Sequence, residues 1–100
     1  MNSERDRFNS WIEQGKQLGK SFTFERGGKT FYASVAIQKQ SGKYRVVADE
    51  IEETLMAAEI FSREDSRIFD SLDEAVSFIE VTTPLLVTDL RPSKGQKWFM

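Results

Sequence analysis

One hundred residues, 39% hydrophobic and 30% charged, suffice for one compact core and exclude both a second domain and the low-hydrophobicity composition of a disordered chain. The absence of Cys and His excludes thiolate nucleophiles, disulfides, imidazole ligation and the usual zinc sites, so no metal or cofactor is expected. A formal net charge of −2, a charged opening MNSERDRF and the lack of any apolar run near the roughly 18 residues of a membrane span make a soluble, cytoplasmic protein the expectation.

The first element reads as a helix, with Ser3 as its N-cap and Asp6 in the first turn near the positive end of the helix dipole. Phe8, Trp11, Ile12 and Leu18 share one arc of a helical wheel. Gly19 stands where a left-handed C-terminal cap is expected, and Gly15 would let a strand backbone approach closely.

Two hairpins follow, registered by two-residue turns at Gly27-Gly28 and Ser41-Gly42. The first turn pairs Phe24 with Phe31 and Phe22 with Ala33, and the second pairs Ile37 with Val46 and Val35 with Ala48. All eight residues then fall on one face, an agreement that a slip of one residue would destroy. The opposite face is mixed, and on it Tyr32, Ala36 and Val47 form an apolar spot that needs a cover: the chain's own tail, a second subunit or a ligand.

Residues 52–61, EETLMAAEIF, fit either a helix or a fourth strand, and the preceding meander favours the strand. SREDS at 62–66 reads as a polar turn. A second helix starts after Ser71, the N-cap, with Glu74 completing a capping box and Leu72, Ala75, Val76 and Ile79 as its apolar stripe. Thr82-Thr83-Pro84 ends it, LLVTDL at 85–90 reads as a short strand or extended segment, and Arg91-Pro92 ends regular structure. The fold class is therefore α+β: an N-terminal helix, an antiparallel meander sheet of three to four strands, a second helix on the same sheet face and a short extended C-terminal segment. Residues 1–90 form the single domain and residues 91–100 a tail.

The motifs with chemical connotations have structural explanations. GGKT at 27–30 matches the end of a phosphate-binding loop, but Thr23 stands where that loop needs its first Gly, and the FYASVAIQ that follows is a strand rather than a helix. Asp49, Glu50, Glu52 and Glu53 form the densest carboxylate cluster, without the central Gly of a calcium loop, and suit a solvated turn. No Ser–Lys or carboxylate spacing nominates a nucleophile, and a chain of this size offers a face or groove more readily than a deep cleft, so no catalytic activity is expected.

Charge is unevenly distributed: residues 1–48 carry nine Lys/Arg against four Asp/Glu, whereas residues 49–80 carry eleven acids against two Arg. The order helix, three strands, helix resembles that of the double-stranded-RNA-binding domain, whose phosphate contacts come from basic residues at the start of the second helix. Here that position reads Asp70-Ser71-Leu72-Asp73-Glu74, which would repel phosphate, so the similarity is one of topology. A separate nucleic-acid surface could be built from Lys20, Arg26, Lys29, Lys39, Lys43 and Arg45 with Tyr32 and Tyr44, against a sequence pI near 5.2.

The leading expectation is a small non-catalytic protein-binding domain of the adaptor, inhibitor, immunity or antitoxin kind, its partner another protein or a second copy of itself, with a nucleic-acid-binding module as the alternative. Candidate interaction residues are Tyr32 and Val47 on the mixed face, and Arg91, Lys94, Lys97, Trp98 and Phe99 in the tail. The tail either folds back on the mixed face or is kept solvated by its cations until its aromatics dock on another molecule.

Overall fold

In the computed structural model of the chain, which describes residues 3–92, the first helix, α1 (Ser3–Glu13), buries Phe8 and Ile12. It closes on Gly15, whose φ of +80° is left-handed; Gly15 N donates to Ile12 O at 2.9 Å and Lys16 N to Trp11 O at 3.0 Å. These are the paired bonds of a Schellman cap. The capping role expected of Gly19 therefore belongs to Gly15, because the helix carbonyls are already satisfied a turn earlier. Leu18 and Gly19 lie in the first strand instead, and Ser3, expected as the N-cap, is itself helical.

Five antiparallel strands form one sheet in the order β4-β3-β2-β1-β5: β1 (Leu18–Arg26), β2 (Lys29–Gln40), β3 (Lys43–Glu52), β4 (Phe61–Phe69) and β5 (Arg91–Pro92). Both hairpin turns have positive φ at their two central residues, +59° and +77° at Gly27 and Gly28, and +53° and +78° at Ser41 and Gly42. That is the type I′ geometry whose twist matches the flanking strands. The register is the one the turns imply: Phe24 opposite Phe31, Phe22 opposite Ala33, Ile37 opposite Val46 and Val35 opposite Ala48.

A Cβ added at Gly28 meets nothing within 4 Å, so the cost of a side chain there is one of backbone conformation alone. Gly28→Val is expected to lower stability by about 1–2 kcal/mol and Gly28→Asn by clearly less, since Asn tolerates the left-handed region. Urea midpoints measure both; equal losses would contradict the turn assignment.

The apolar sheet face is covered by α1 and by the second helix, α2 (Leu72–Thr82). Their core joins Phe8 and Ile12 to Leu18, Val35, Ile37, Val46 and Ala48 of the sheet and to Ala75, Val76 and Ile79 of α2. Ser71 is the N-cap of α2 as expected, with Glu74 N donating to Ser71 Oγ at 3.2 Å, but the capping box is incomplete: the Glu74 carboxylate accepts from Ser71 Oγ at 3.2 Å rather than from the Ser71 backbone N–H.

Two segments differ from expectation. The stretch 52–61 is not a strand of its own: Glu52 ends β3 and Phe61 begins β4, and between them a 3₁₀ turn at Glu53–Leu55 leads into a loop in which Glu59 adopts a φ of +52°. The hydrophobic residues there project beyond the sheet's end, and Leu55, Met56 and Ile60 are exposed. The fourth strand is instead FSREDSRIF, which includes the stretch read as a polar turn. Its charges suit an edge strand. Arg63 Nε donates to Asp65 at 2.6 Å and its guanidinium reaches Thr82 O at 3.0 Å, while Arg67 lies 5.2 Å over the Phe78 ring.

After α2, residues 85–90 form no strand either. Leu85, Val87 and Leu90 turn into the core around a 3₁₀ turn at Val87–Asp89. Glu80 accepts from Val87 N and Asp89 from Leu86 N, both at 2.9 Å, so carboxylates replace the strand partners these amides lack. Arg91–Pro92 then joins the sheet beside Gly19 and Leu18, taking in two residues assigned to the tail. Among the described residues no helix is long and apolar enough to cross a membrane.

Candidate functional site

The helices leave the other face of the sheet open, and the register sets its residues in transverse rows. Thr23, Tyr32, Ile51 and Phe61 form one row across β1 to β4, followed by Ser21, Ser34, Asp49 and Glu64. The next row is Gly19, Ala36, Val47 and Ser66, with Arg91 of β5 opposite Gly19, and then Gln38, Arg45 and Ile68. Phe61 reaches the first row because a bulge in β4 shifts the pairing between Glu50 and Ile51.

The apolar spot expected around Tyr32, Ala36 and Val47 is thereby divided. Ala36 and Val47 are direct neighbours, whereas Tyr32 lies four residues away along β2, about 13 Å. Tyr32 is 40% exposed and Phe61 39%, with Ile51 buried between them. Ala36 is 0% exposed although it faces away from the helices.

A shallow groove of about 350 Å³ runs between the first two rows, lined by Thr23, Tyr32 and Ile51 on one side and Ser21, Ser34 and Asp49 on the other. A second hollow, about 190 Å³, continues from Asp49 to Glu64 and Ser66. Ser34 Oγ donates to Asp49 at 2.8 Å. No imidazole exists in the chain to take the serine proton, so this pair supplies polarity rather than an activated nucleophile. Asp49 and Glu64 stand directly opposite each other, and among the described residues neither makes an ion pair. Like charges in that position are mutually destabilising, and a cation brought to the groove relieves them.

The acidic run 49–53 is dispersed by strand alternation: Asp49 faces the open side, whereas Glu50 pairs with Arg26 at 2.9 Å and Glu52 is buried and accepts from Thr54 at 2.6 Å. Among the described residues no cluster of three or more potential metal ligands forms.

The basic residues are divided as well. Arg26, 4.8 Å over the Phe31 ring, and Lys39 lie on the helix side of the sheet, while Lys43 and Arg45 lie on the open side. Lys39 donates to Glu13 at 2.7 Å, Lys43 pairs with Asp70, and Arg45 reaches Ser66 at 3.4 Å. Tyr44 also donates to Glu13, at 3.0 Å, so the end of α1 is clamped to the β2–β3 hairpin.

These contacts shift titrations. The Lys39 and Tyr44 hydrogen bonds hold the Glu13 carboxyl below its usual range, and Lys43 does the same for Asp70. Glu13 raises Lys39, whereas burial first and the bond to Glu13 second raise Tyr44. The two depressed carboxylates contribute stability above their unfolded pKa values, which is lost as pH falls through the folded ones. The two raised groups contribute stability below about pH 10, lost as pH rises through their folded values. The melting temperature is therefore expected to be flat from about pH 5 to 9 and to fall on both sides. Glu13→Gln should make the acid limb shallower; an unchanged limb contradicts the clamp.

Of the residues expected to interact, Tyr32 and Val47 lie on the open face in different rows, and Arg91 turns its guanidinium to Thr88 O and Leu90 O. Lys94, Lys97, Trp98 and Phe99 lie outside the described residues. Ser34, Asp49, Ile51, Phe61 and Glu64 were not anticipated as site residues. Ser34 and Asp49 share the Tyr32 face by the hairpin register itself; Ile51 pairs with Tyr32 only because β3 continues to Glu52, and Phe61 and Glu64 require β4, whose sequence reads as the end of a helix or strand followed by a polar turn. No protein-family model, curated protein or solved structure matches the chain, so its function is argued from this geometry alone.

Proposed function

We propose that the chain is a small non-catalytic protein-binding domain, of the adaptor or inhibitor kind, which takes a basic segment with aromatic or aliphatic side chains from another protein on its open sheet face. The observation that carries this reading is the groove lined by the half-exposed Tyr32 and by Asp49, with Phe61 at the β4 end of the Tyr32 row and Glu64 directly opposite Asp49 in the adjoining hollow. Aromatic side chains serve as interface anchors, and unneutralised acids steer and hold a cationic partner. The sheet edges fit this role less well, since β4 is guarded by Arg63, Glu64, Asp65 and Arg67.

The nucleic-acid reading rests on the same basic residues as before, but they divide between the two sheet faces, and Arg26, Lys39 and Lys43 already hold carboxylates. A phosphate backbone favours a continuous cationic footprint.

The test is affinity capture from the source lysate with the native chain and with a Tyr32→Asp/Phe61→Asp variant as baits, beside titration of both with heterogeneous RNA and DNA. Proteins retained by the native chain and lost by the variant support the proposal. Equal retention by both, or salt-sensitive nucleic-acid binding without protein capture, overturns it.

A further inference from the structure

We infer that a second copy of the chain adds to the outer edge of β1, residues 20–26, by antiparallel pairing centred on Thr23. The surface is the backbone of a strand edge rather than the groove, and the pairing does not depend on the proposed function.

The phase of the β1–β2 ladder decides which backbone groups face outward. The type I′ turn at Gly27-Gly28 makes Arg26 and Lys29 a hydrogen-bonded pair, and the register then continues without a shift to Leu18. Phe24, Phe22 and Lys20 therefore direct their amides and carbonyls to β2, whereas those of Ser21, Thr23 and Glu25 point away from it. Gly19 points the same way and meets Arg91 of β5, but β5 runs from there to Pro92 opposite Leu18, away from residue 20. Among the described residues nothing bonds the outward N–H and C=O of Ser21, Thr23 and Glu25.

A row of unpaired ladder groups is a template for a further strand. The two edges of this sheet differ in how they resist one. β4 carries Arg63, Glu64, Asp65, Arg67 and a bulge, whereas Ser21-Phe22-Thr23-Phe24 has no charge, no Pro and no bulge.

The β1 edge is also complementary to itself. Pairing about Thr23 sets Thr23 opposite Thr23 of the second copy and Ser21 opposite its Glu25, so every outward amide finds a carbonyl. On the helix side Phe22 comes opposite Phe24 of the second copy, in the non-hydrogen-bonded phase where side chains approach most closely. Phe24 already stacks on Phe31 at 5.2 Å and lies 6.2 Å from Phe22, so the aromatic row of one sheet runs on into the other. Both β1 rings are only half-buried within one chain. Lys20 falls opposite Arg26 of the second copy, but that guanidinium is drawn inward, 4.8 Å over Phe31 and 2.9 Å from the Glu50 carboxylate that neutralises it. Length agrees as well: an antiparallel copy of residues 20–26 fills the interval between Gly19, taken by β5, and the turn at Gly27. On the open face the dimer sets the two Tyr32 rows end to end through Thr23.

Sedimentation velocity of the full chain over a range of concentrations, beside amide-resolved hydrogen exchange, tests the pairing. The native chain is expected to reach twice the monomer mass, with exchange at Ser21, Thr23 and Glu25 slowing as the dimer forms. Thr23 is exposed, so Thr23→Lys and Thr23→Glu should both stay folded by circular dichroism. Each sets like charges opposite one another and should lose the dimer, and an equal mixture of the two should recover it. Should either variant fail to fold, the native exchange pattern decides alone. A native chain that stays monomeric with rapid exchange at the three amides overturns the inference. So does a dimer protected elsewhere, one that survives both substitutions, or one that the mixture does not recover. Slow exchange at the three amides in a monomer overturns it in favour of an intramolecular cover of the edge.

Discussion

Val46→Asp is expected to leave the chain largely unfolded at 25 °C, whereas Val47→Asp, one residue further on, leaves a folded domain. The two valines start from the same chemistry and differ only in the side of the sheet they face. Val46 is 0% exposed among Ile37, Phe8 and Ile79 of the core. A carboxylate there loses about 1.5–3 kcal/mol of apolar burial and buries an uncompensated charge at several kcal/mol more. Together these rival the roughly 5–15 kcal/mol that holds a domain of ordinary stability. Val47 points to the open face opposite Ala36 and Ser66, with no acid directly across, and the lower strand preference of Asp costs about 1 kcal/mol there. Urea unfolding followed by circular dichroism separates the cases; comparable losses at both positions contradict the assignment of faces.

Phe8→Ala carries the next largest expected effect, a loss of about 3–5 kcal/mol. Phe8 is the largest fully buried side chain of α1, and α1 is held to the sheet mainly by it and Ile12. Phe78→Ala, on the half-buried side of α2 where its ring meets Phe69 at 5.4 Å, should cost distinctly less because water can fill part of the space. Phe8→Leu should recover most of the loss by preserving volume. Thermal or urea midpoints rank the three, and a larger effect at Phe78 than at Phe8 contradicts the core described.

The hairpins were legible because two local signals, turn chemistry and alternation, had to agree, and only one register satisfied both. Ser71 and Glu74 announced α2 for a similar reason: the cap and the apolar stripe are set by neighbours within one turn. The β4 strand was not legible, since FSREDSRIF owes its conformation to pairing with Tyr44–Ile51 of β3, a tertiary contact that overrides its turn-like composition. Residues 53–60 misled in the opposite direction, because their hydrophobic residues imply burial that the end of the sheet does not offer. At the site, Tyr32 was visible as an exposed aromatic on a mixed face. The acidic pair Asp49 and Glu64 was hidden because it joins two strands of which only one had been identified.

Under the proposed function, the groove between the Tyr32 and Asp49 rows receives the partner. Its most direct test is amide-resolved mapping of the isotope-labelled native chain titrated with the protein retained by capture. Perturbations concentrated at Thr23, Tyr32, Ser34, Asp49 and Ile51, weakening as salt is raised, are the predicted result. Perturbations confined to α1, α2 or the hairpin turns, with those five residues unmoved, would contradict it.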